Sequence, residues 1–524
     1  MEFVTDPPIA TKIRKMEQRV RWHEPAIAER GIDQTRLVLD DGREDTPEFS
    51  FLVLGDSGSG PHRGHNPQRR IAEQMLEHRD DCRFVLHTGD VIYLTGSSAY
   101  YPPNFIEPYR EFLVGGEQFK RIAYDRMVFN LPFLPIPGNH DYYDMPLLYG
   151  MLSQLTLPLR QLFRSQLDLD VSWRGSVQGN AYARAFIDYL KALKPGTELE
   201  RHLDEHYTAK TETGRCLSYQ PGRFTRLPNR YYTFRSGGID FFALDSNTIN
   251  APIPLPDTPV GEKYRRHLEQ QRADVDNQMQ EILITLAKLN AADADDAERM
   301  DDLQAKLEQL TEVNKDITKQ LESNETTETD LHQLDWLQQK LIESWNTDSV
   351  RGRVLFFHHP PYVTEATKWH QAQTLAVRYR LRNVLDAVAA TVGDRTQGRA
   401  IVDLVLSGHA HCLEYLRTSE TGHADAHTNW IVCGGSGFSL RRQREEGPDV
   451  REFFGQSDVG EERLVARSKL FIGRSGQGAH RRRPYSFIRI DVKAGTPPTF
   501  VVRPYVAEWY HKQWDDCAID PFTV

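Results

Sequence analysis

The chain of 524 residues lacks any stretch approaching the ~18 consecutive apolar residues that a membrane-spanning helix requires. Its opening, MEFVTDPPIATKIRKMEQ, carries charge where a signal peptide would be apolar, so the expectation is a cytoplasmic protein. Cysteine is scarce. The five present (Cys82, Cys216, Cys412, Cys433, Cys517) are odd in number, scattered and never in a CxxC pair. That excludes a disulfide framework and a thiolate zinc site. No positive excess exists either, and a formal charge of −10 argues against a broad nucleic-acid surface. Glycine (35) and proline (29) are too few for a collagen-like or low-complexity chain. Both are missing altogether from 262–330.

What is present from Glu48 onward is a rhythm of short apolar runs, each ending in a polar turn. The runs are Phe49–Leu54, Phe84–Leu86, Phe133–Ile136, Ile239–Leu244, Val354–Phe357, Ile401–Leu406 and Ile431–Cys433. Unbroken apolar runs of this length suit strands covered on both faces. Gln68–His78 carries Ile71, Met75 and Leu76 at helical spacing, which makes a βαβ unit with the first two runs. Residues 1–47 read as a polar, irregular extension apart from a short helix around Ile13–Trp22. The main domain then spans 48–524, with 143–228 as an inserted cap or wall. In 262–330, Val275, Met279, Ile282, Leu286 and Leu289 recur at 4-3-4-3 spacing. Met300, Leu303, Leu307, Leu310, Ile317 and Leu321 resume the seam after a polar Ala291–Asp296 turn. This predicts an antiparallel helical hairpin, with coiled-coil-like packing. It holds 18 acidic against 9 basic residues, so nearly all of the protein's net charge lies in this arm. A solvated spacer, a self-association arm, a docking site for a protein partner and a substrate gate are its possible roles.

Five turns carry the chemistry: Gly55-Asp56-Ser57-Gly58, Gly89-Asp90-Val91-Ile92-Tyr93, Gly138-Asn139-His140-Asp141, His358-His359-Pro360-Pro361 and Gly408-His409-Ala410-His411. Each follows an apolar run directly. In α/β sheets ligands collect at the carboxyl ends of strands, so the five can meet in one crevice. Carboxylate, phenol, amide and imidazole together suit hard or borderline metal ions. Singly each turn is ordinary; five in this order are a site.

The ordered set resembles the motifs of the calcineurin-like metallophosphoesterases, and most closely those of the purple acid phosphatases. Tyr231–Ser246 as a strand pair and Gln333-Leu334-Asp335-Trp336-Leu337 as a helix start match too. The resemblance covers about 48–142, 229–250 and 331–440, and implies an α/β fold: a layered β-sandwich flanked by helices (αββα), here with the inserted cap and the hairpin arm. The wider superfamily has His two residues after the first Asp, where this chain has Gly58. Tyr93 can supply the missing ligand as a phenolate, a strong donor to a trivalent ion. The resemblance thus places Asp56, Asp90, Tyr93 and His411 on Fe(III). It places Asp90 (bridging), Asn139, His358 and His409 on a second, divalent ion (Fe, Zn or Mn). Three anionic ligands against five positive charges leave a site able to hold hydroxide and phosphate. The fourth motif, Leu355-Phe356-Phe357-His358, departs from VxxH, and Asp141 stands where many relatives have Glu. His358 is preferred as ligand over His359, which takes that place in the alternative register.

By the same resemblance His140 contacts the substrate phosphate and protonates the leaving group, its alternative being a purely orienting role beside the ligands, and His359 is a substrate contact or a packing residue. His62 and His65 are further phosphate-contact candidates, and His87 reads as a core histidine. Residues 441–483, with 11 basic and 7 acidic residues, are a solvated loop or a guide for anions. The implied activity is hydrolysis of small phosphate monoesters by a metal-bound hydroxide. The alternatives are a phosphodiesterase on nucleotide-like diesters, or a scaffold acting through the arm.

Overall fold

Six consecutive buried residues, Phe49–Leu54, form a strand sandwiched between other layers, and Cys82–His87 repeats the pattern. The computed structural model describes residues 5–60, 62, 64–144, 177–290, 294–454, 461–477 and 480–524. In chain order the strands begin β1 Ile32–Leu39, β2 Phe49–Leu54, β3 Cys82–His87, β4 Phe133–Pro135, β5 Ala209–Thr211, β6 Gly214–Tyr219, β7 Tyr232–Ser236, β8 Ile239–Ala243 and β9 Gly352–Phe356. They continue with β10 Leu404–Ser407, β11 Leu413–Thr418, β12 Asn429–Cys433, β13 Asp449–Phe454, β14 Glu461–Ile472, β15 Arg483–Lys493, β16 Thr499–Tyr510, β17 Gln513–Ala518 and β18 Phe522–Thr523. The helices used below are α1 Ile9–Val20, α2 Pro67–His78, α3 Asn139–Tyr142, α4 Pro259–Leu286, α5 Ala294–Glu322, α6 Leu331–Trp345 and α7 Ala372–Val392.

Two mixed sheets result. The first runs β13-β14-β11-β12-β10-β9-β8-β7-β1-β6-β5, and the second β17-β16-β15-β2-β3-β4 with β18 on β16. Their centres are parallel: β8–β9–β10–β12 in one and β2–β3–β4 in the other. Parallel neighbours need crossovers, and α2 between β2 and β3 and α7 between β9 and β10 provide them. Aromatic rings knit the sheets face to face. Phe51 meets Phe241 edge-on at 5.5 Å, and Phe84 meets Phe234 at 5.2 Å. The architecture is the expected helix-flanked sandwich. No helix among the described residues is long and apolar enough to cross a membrane.

Several elements differ from the sequence expectation. The N-terminal helix is α1, and residues 32–39 are not irregular but form β1 inside the first sheet. Residues 145–176 of the expected cap lie outside the described residues. Residues 177–228 contribute two helices, Asn180–Phe186 and Thr197–His206, and the pair β5–β6, which extends the first sheet beyond β1. In 262–330, α4 and α5 run antiparallel: Arg265 Nη1 bonds to Leu321 O at 3.3 Å and Asn314 Nδ2 to Asp276 Oδ1 at 2.6 Å. Leu268, Val275, Leu310 and Ile317 are buried. A second, polar face of α5 lies on the body. Asp302 pairs with Arg474 (2.6 Å) and with Arg481, Asp316 accepts from the α7 N-terminal amides of Ala372 (2.8 Å) and Gln373 (3.1 Å), and Lys319 pairs with Asp6 (2.6 Å).

Candidate metal centre

The strand ends deliver the candidate ligands. Asp56 lies just beyond β2, Asp90 beyond β3, Asn139 at the start of α3 after β4, His358 beyond β9, and His409 and His411 beyond β10. Because these strands are parallel within each sheet, the turns emerge together. Two buried groups form: Asp90, His358 and His409 have ligand atoms within 4.8 Å of one another, as do Asp56, Asp90 and His411. Asp90 is common to both. The phenol oxygen of Tyr93 joins the second group, donating to Asp90 Oδ2 at 2.7 Å and Asp56 Oδ1 at 2.9 Å, with His411 Nε2 at 3.3 Å. Asn139 Oδ1 joins the first, 2.9 Å from His358 Nε2. All seven residues singled out in the sequence are therefore adjacent.

The imidazoles are aimed by their far nitrogens. Nδ1 of His358 donates to Thr88 O at 2.8 Å and Nδ1 of His411 to Ser439 O at 3.2 Å, which leaves Nε2 of each facing the cluster. His409 donates its backbone N–H to Asp56 Oδ2 at 2.8 Å, while its buried Nε2 has no hydrogen-bond partner among the described residues. A buried imidazole nitrogen without a partner is costly unless something else is meant to bind it. That orphan, with the oxygen and nitrogen donors around it, fits a metal ion.

Steric constraint explains the absent histidine at position 58. A Cβ on Gly58 would lie 1.9 Å from Val91 O and 2.3 Å from Ile92 Cα. The chain bearing Tyr93 fills the space a side chain at 58 would need, and Tyr93 N–H closes on Gly58 O at 2.8 Å. Gly138 is required likewise, since its Cβ would meet Asp90 Oδ1 at 2.1 Å. Asp56, Asp90, His409 and His411 all have positive φ (53°, 54°, 67° and 40°). Four non-glycine residues in that region mark a backbone bent to present side chains at a cost the rest of the fold offsets.

Charge in this dry pocket is poorly tolerated. Burial pushes Asp56 up to about 7, against the pull of His358 and helped by Asp90. Burial acts on Asp90 too, yet His358 and His140 hold it below the ordinary carboxylate range. Burial opposes protonation of His358, but Asp90 lifts it to about 9. Burial and nearby cations keep His409 and His411 well below their usual value, and burial with Asp56 and Asp90 pushes the Tyr93 phenol up. Without a cation the ligands thus share protons. A metal ion would displace them, so its binding tightens as pH rises.

Asp141, the residue in place of Glu, accepts from Gly138 N–H (2.8 Å) and Val91 N–H (3.2 Å), locking the second and third turns together. His140 gives its Nδ1–H to Leu94 O at 2.7 Å, and its ring lies 4.3 Å from that of Tyr93. His359 stands behind the cluster. Its Nδ1 bonds to Ser246 Oγ (2.8 Å), its Nε2 accepts from Asn250 Nδ2 (3.2 Å), and its ring lies 4.5 Å from that of His409. His62 bonds to Gly437 O (2.9 Å), and His65 stacks on Trp509 at 4.9 Å; neither belongs to the two groups. His87 is buried, with Nε2 at 2.9 Å from Ser57 Oγ and Nδ1 accepting from Gly89 N–H.

Three residues beside the centre were not identified from sequence: Glu312 on α5, Lys368 and Arg441. Lys368 Nζ pairs with Glu312 Oε2 at 2.9 Å, and Arg441 N–H donates to His411 O at 3.1 Å. No local signal marks Glu312 or Lys368, because a lone Glu or Lys reads as solvated, and Arg441 stands out only as one member of the basic stretch 441–483.

Comparison with known proteins gives likeness in structure only. No family model matches the chain, and no curated protein matches it. Among solved structures it is similar to GAP50, the anchor in the inner membrane complex of Plasmodium, at 11% identity and TM-score 0.39, over 91% of this chain and 88% of that one. It is similar to purple acid phosphatase PPD1 from yellow lupin (Lupinus luteus) seeds at 12% identity and TM-score 0.40, over 92% of this chain. The match spans about half, 54%, of the lupin protein. A third similarity is to PhoD, at 11% identity and TM-score 0.38, over 92% and 70% of the two chains. Each is a similarity of structure at low identity and no more.

Proposed function

We propose that the protein is a dinuclear metal-dependent hydrolase of phosphate monoesters, similar in its centre to the purple acid phosphatases. One observation carries this: two buried ligand groups share the Asp90 carboxylate at the ends of parallel strands. Asp56, Asp90, Tyr93 and His411 would hold an iron(III) ion, and Asp90, Asn139, His358 and His409 a divalent one. When bound, such a pair supplies Lewis acidity and a water of lowered pKa.

The chain's own residues do the rest. Asp90, and Tyr93 once its phenol gave up its proton, would offset the charge of bound ions. Gly58 and Gly138 let the ligand turns approach without side-chain collision. His140 is oriented by Leu94 O, leaving Nε2 to pass a proton to the departing alkoxide oxygen. Burial opposes its protonation, but Asp90 and Glu312 raise its pKa above the usual imidazole value, as a proton donor near neutral pH requires.

The test is hydrolysis of p-nitrophenyl phosphate against bis(p-nitrophenyl) phosphate by metal-reconstituted full-length protein. The monoester is expected to react with kcat/KM at least ~10-fold higher, a difference of about 1.4 kcal/mol. A preference for the diester would make the protein a phosphodiesterase, and hydrolysis of neither would favour a scaffold.

A further inference from the structure

The helix α5 brings two acidic side chains towards the candidate metal centre, Glu308, which interacts with Arg441 and His140, and one turn on Glu312. Glu312, 15% exposed, sets Oε2 at 2.9 Å from Lys368 Nζ and 3.9 Å from Arg441 Nη2, while Oε1 lies 3.9 Å from His140 Nε2. The side chains of Lys368 and Arg441 are 2% and 5% exposed. Both belong to the body of the protein and not to the arm. Among the described residues, Glu312 is the only carboxylate within ion-pair distance of Lys368 Nζ. Arg441 Nη1 donates to Ala305 O at 3.1 Å, but its buried Nε and Nη2 have no hydrogen-bond partner among the described residues.

Buried cations are expensive unless carboxylates offset them, and the body brings them Glu365, which attracts both but makes no ion pair with either among the described residues. Docking the arm does not require them, since Asp302, Asp316 and Lys319 already fasten α5 away from the ligands. What Lys368, Arg441 and His140 surround is an anion cradle bordering the metal ligands, with donors left over for an anion richer in oxygens than a carboxylate.

We propose that Lys368 and Arg441, with His140, form the subsite for the phosphate group of the substrate, and that the Glu312 carboxylate fills it as a built-in competitor. This rests on the hydrolase reading above and refines its substrate class. A dianionic monoester phosphate can displace a monoanionic carboxylate; a diester phosphate, also monoanionic, has no such advantage. The arm therefore selects for terminal phosphates.

Calorimetric titration of inorganic phosphate into metal-loaded full-length protein tests this. Glu312→Gln is expected to bind phosphate ~10-fold more tightly than wild type, the scale of one charge-assisted hydrogen bond released from competition. Adding Lys368→Gln to it should abolish the gain. Should Glu312→Gln fail to fold, Glu312→Asp withdraws the carboxylate by one methylene and is expected to gain ~3-fold, about 0.65 kcal/mol. Unchanged or weaker phosphate binding in the folded variant would overturn the subsite. The two ideas fail separately. Tighter phosphate binding by a protein that hydrolyses no ester would keep the subsite and remove the hydrolase, whereas hydrolysis with unaltered phosphate affinity would do the reverse.

Discussion

Asp90→Asn is expected to lower kcat/KM for a phosphate monoester by ~10³-fold or more, because metal-ion stabilisation of phosphoryl charge is worth several kcal/mol. Asparagine keeps the size of the side chain and can still accept from His140 N–H, the bond that Asp90 Oδ1 makes at 2.8 Å. It loses the shared negative charge. In the metal-free protein the substitution relieves repulsion with Asp56, whose pKa burial and Asp90 together raise. It also removes the carboxylate that lifts His358 to about 9, so the metal-free protein should lose some stability, and steady-state kinetics with a thermal melt of the metal-free protein checks both halves. Near-wild-type turnover would show that Asp90 does not bridge.

A second large effect is expected away from the ligands. Arg230, 2% exposed, pairs with Asp330 at 2.5 Å and Asp245 at 3.3 Å, and donates to Thr248 Oγ1 at 3.0 Å. Asp330 caps α6 through Gln333 N–H (3.1 Å), and Asp245 accepts from Tyr142 OH (2.7 Å) at the end of α3. One guanidinium thus ties the helix bearing Asn139 and His140 to the end of β8 and to the segment where the arm rejoins the body. Arg230→Met removes the cation and leaves two buried carboxylates facing each other. Breaking a buried pair by removing one partner costs about 3–5 kcal/mol, so urea denaturation should show a loss of that size. A loss below ~1 kcal/mol would mean that water reaches the network and solvates the carboxylates.

The ligand turns were legible because each follows a strand buried on both faces, where only apolar residues fit until the chain leaves the sheet. Asp56, Asp90 and His358 therefore stand out against the runs before them. The hairpin was legible for a similar reason, since Leu310 and Ile317 keep helical phase where no glycine or proline intervenes. β1 was not legible. Its centre, Gln34, Thr35 and Arg36, is polar yet buried. Gln34 bonds to Val20 O and Thr35 receives the Trp336 indole N–H, and those partners are distant in sequence. The docking face of α5 was hidden in the same way. Asp302, Glu312, Asp316 and Lys319 look like a solvated stripe until Arg474, Lys368, the α7 N-terminus and Asp6 are brought to them. Long-range ion pairs leave no local pattern. The basic stretch 441–483, read as a solvated loop or a guide for anions, sets Arg441 beside the candidate ligand His411 and Arg474 and Arg481 on the arm, contacts that no local pattern foretells.

The most direct test of the dinuclear centre is elemental analysis of purified full-length protein with its visible spectrum, beside Tyr93→Phe and Asp90→Asn. The account predicts two metal ions per chain, one of them iron, a phenolate charge-transfer band that disappears in Tyr93→Phe, and loss of bound metal in Asp90→Asn. No metal after reconstitution, or a metal content that Asp90→Asn leaves unchanged, would contradict it.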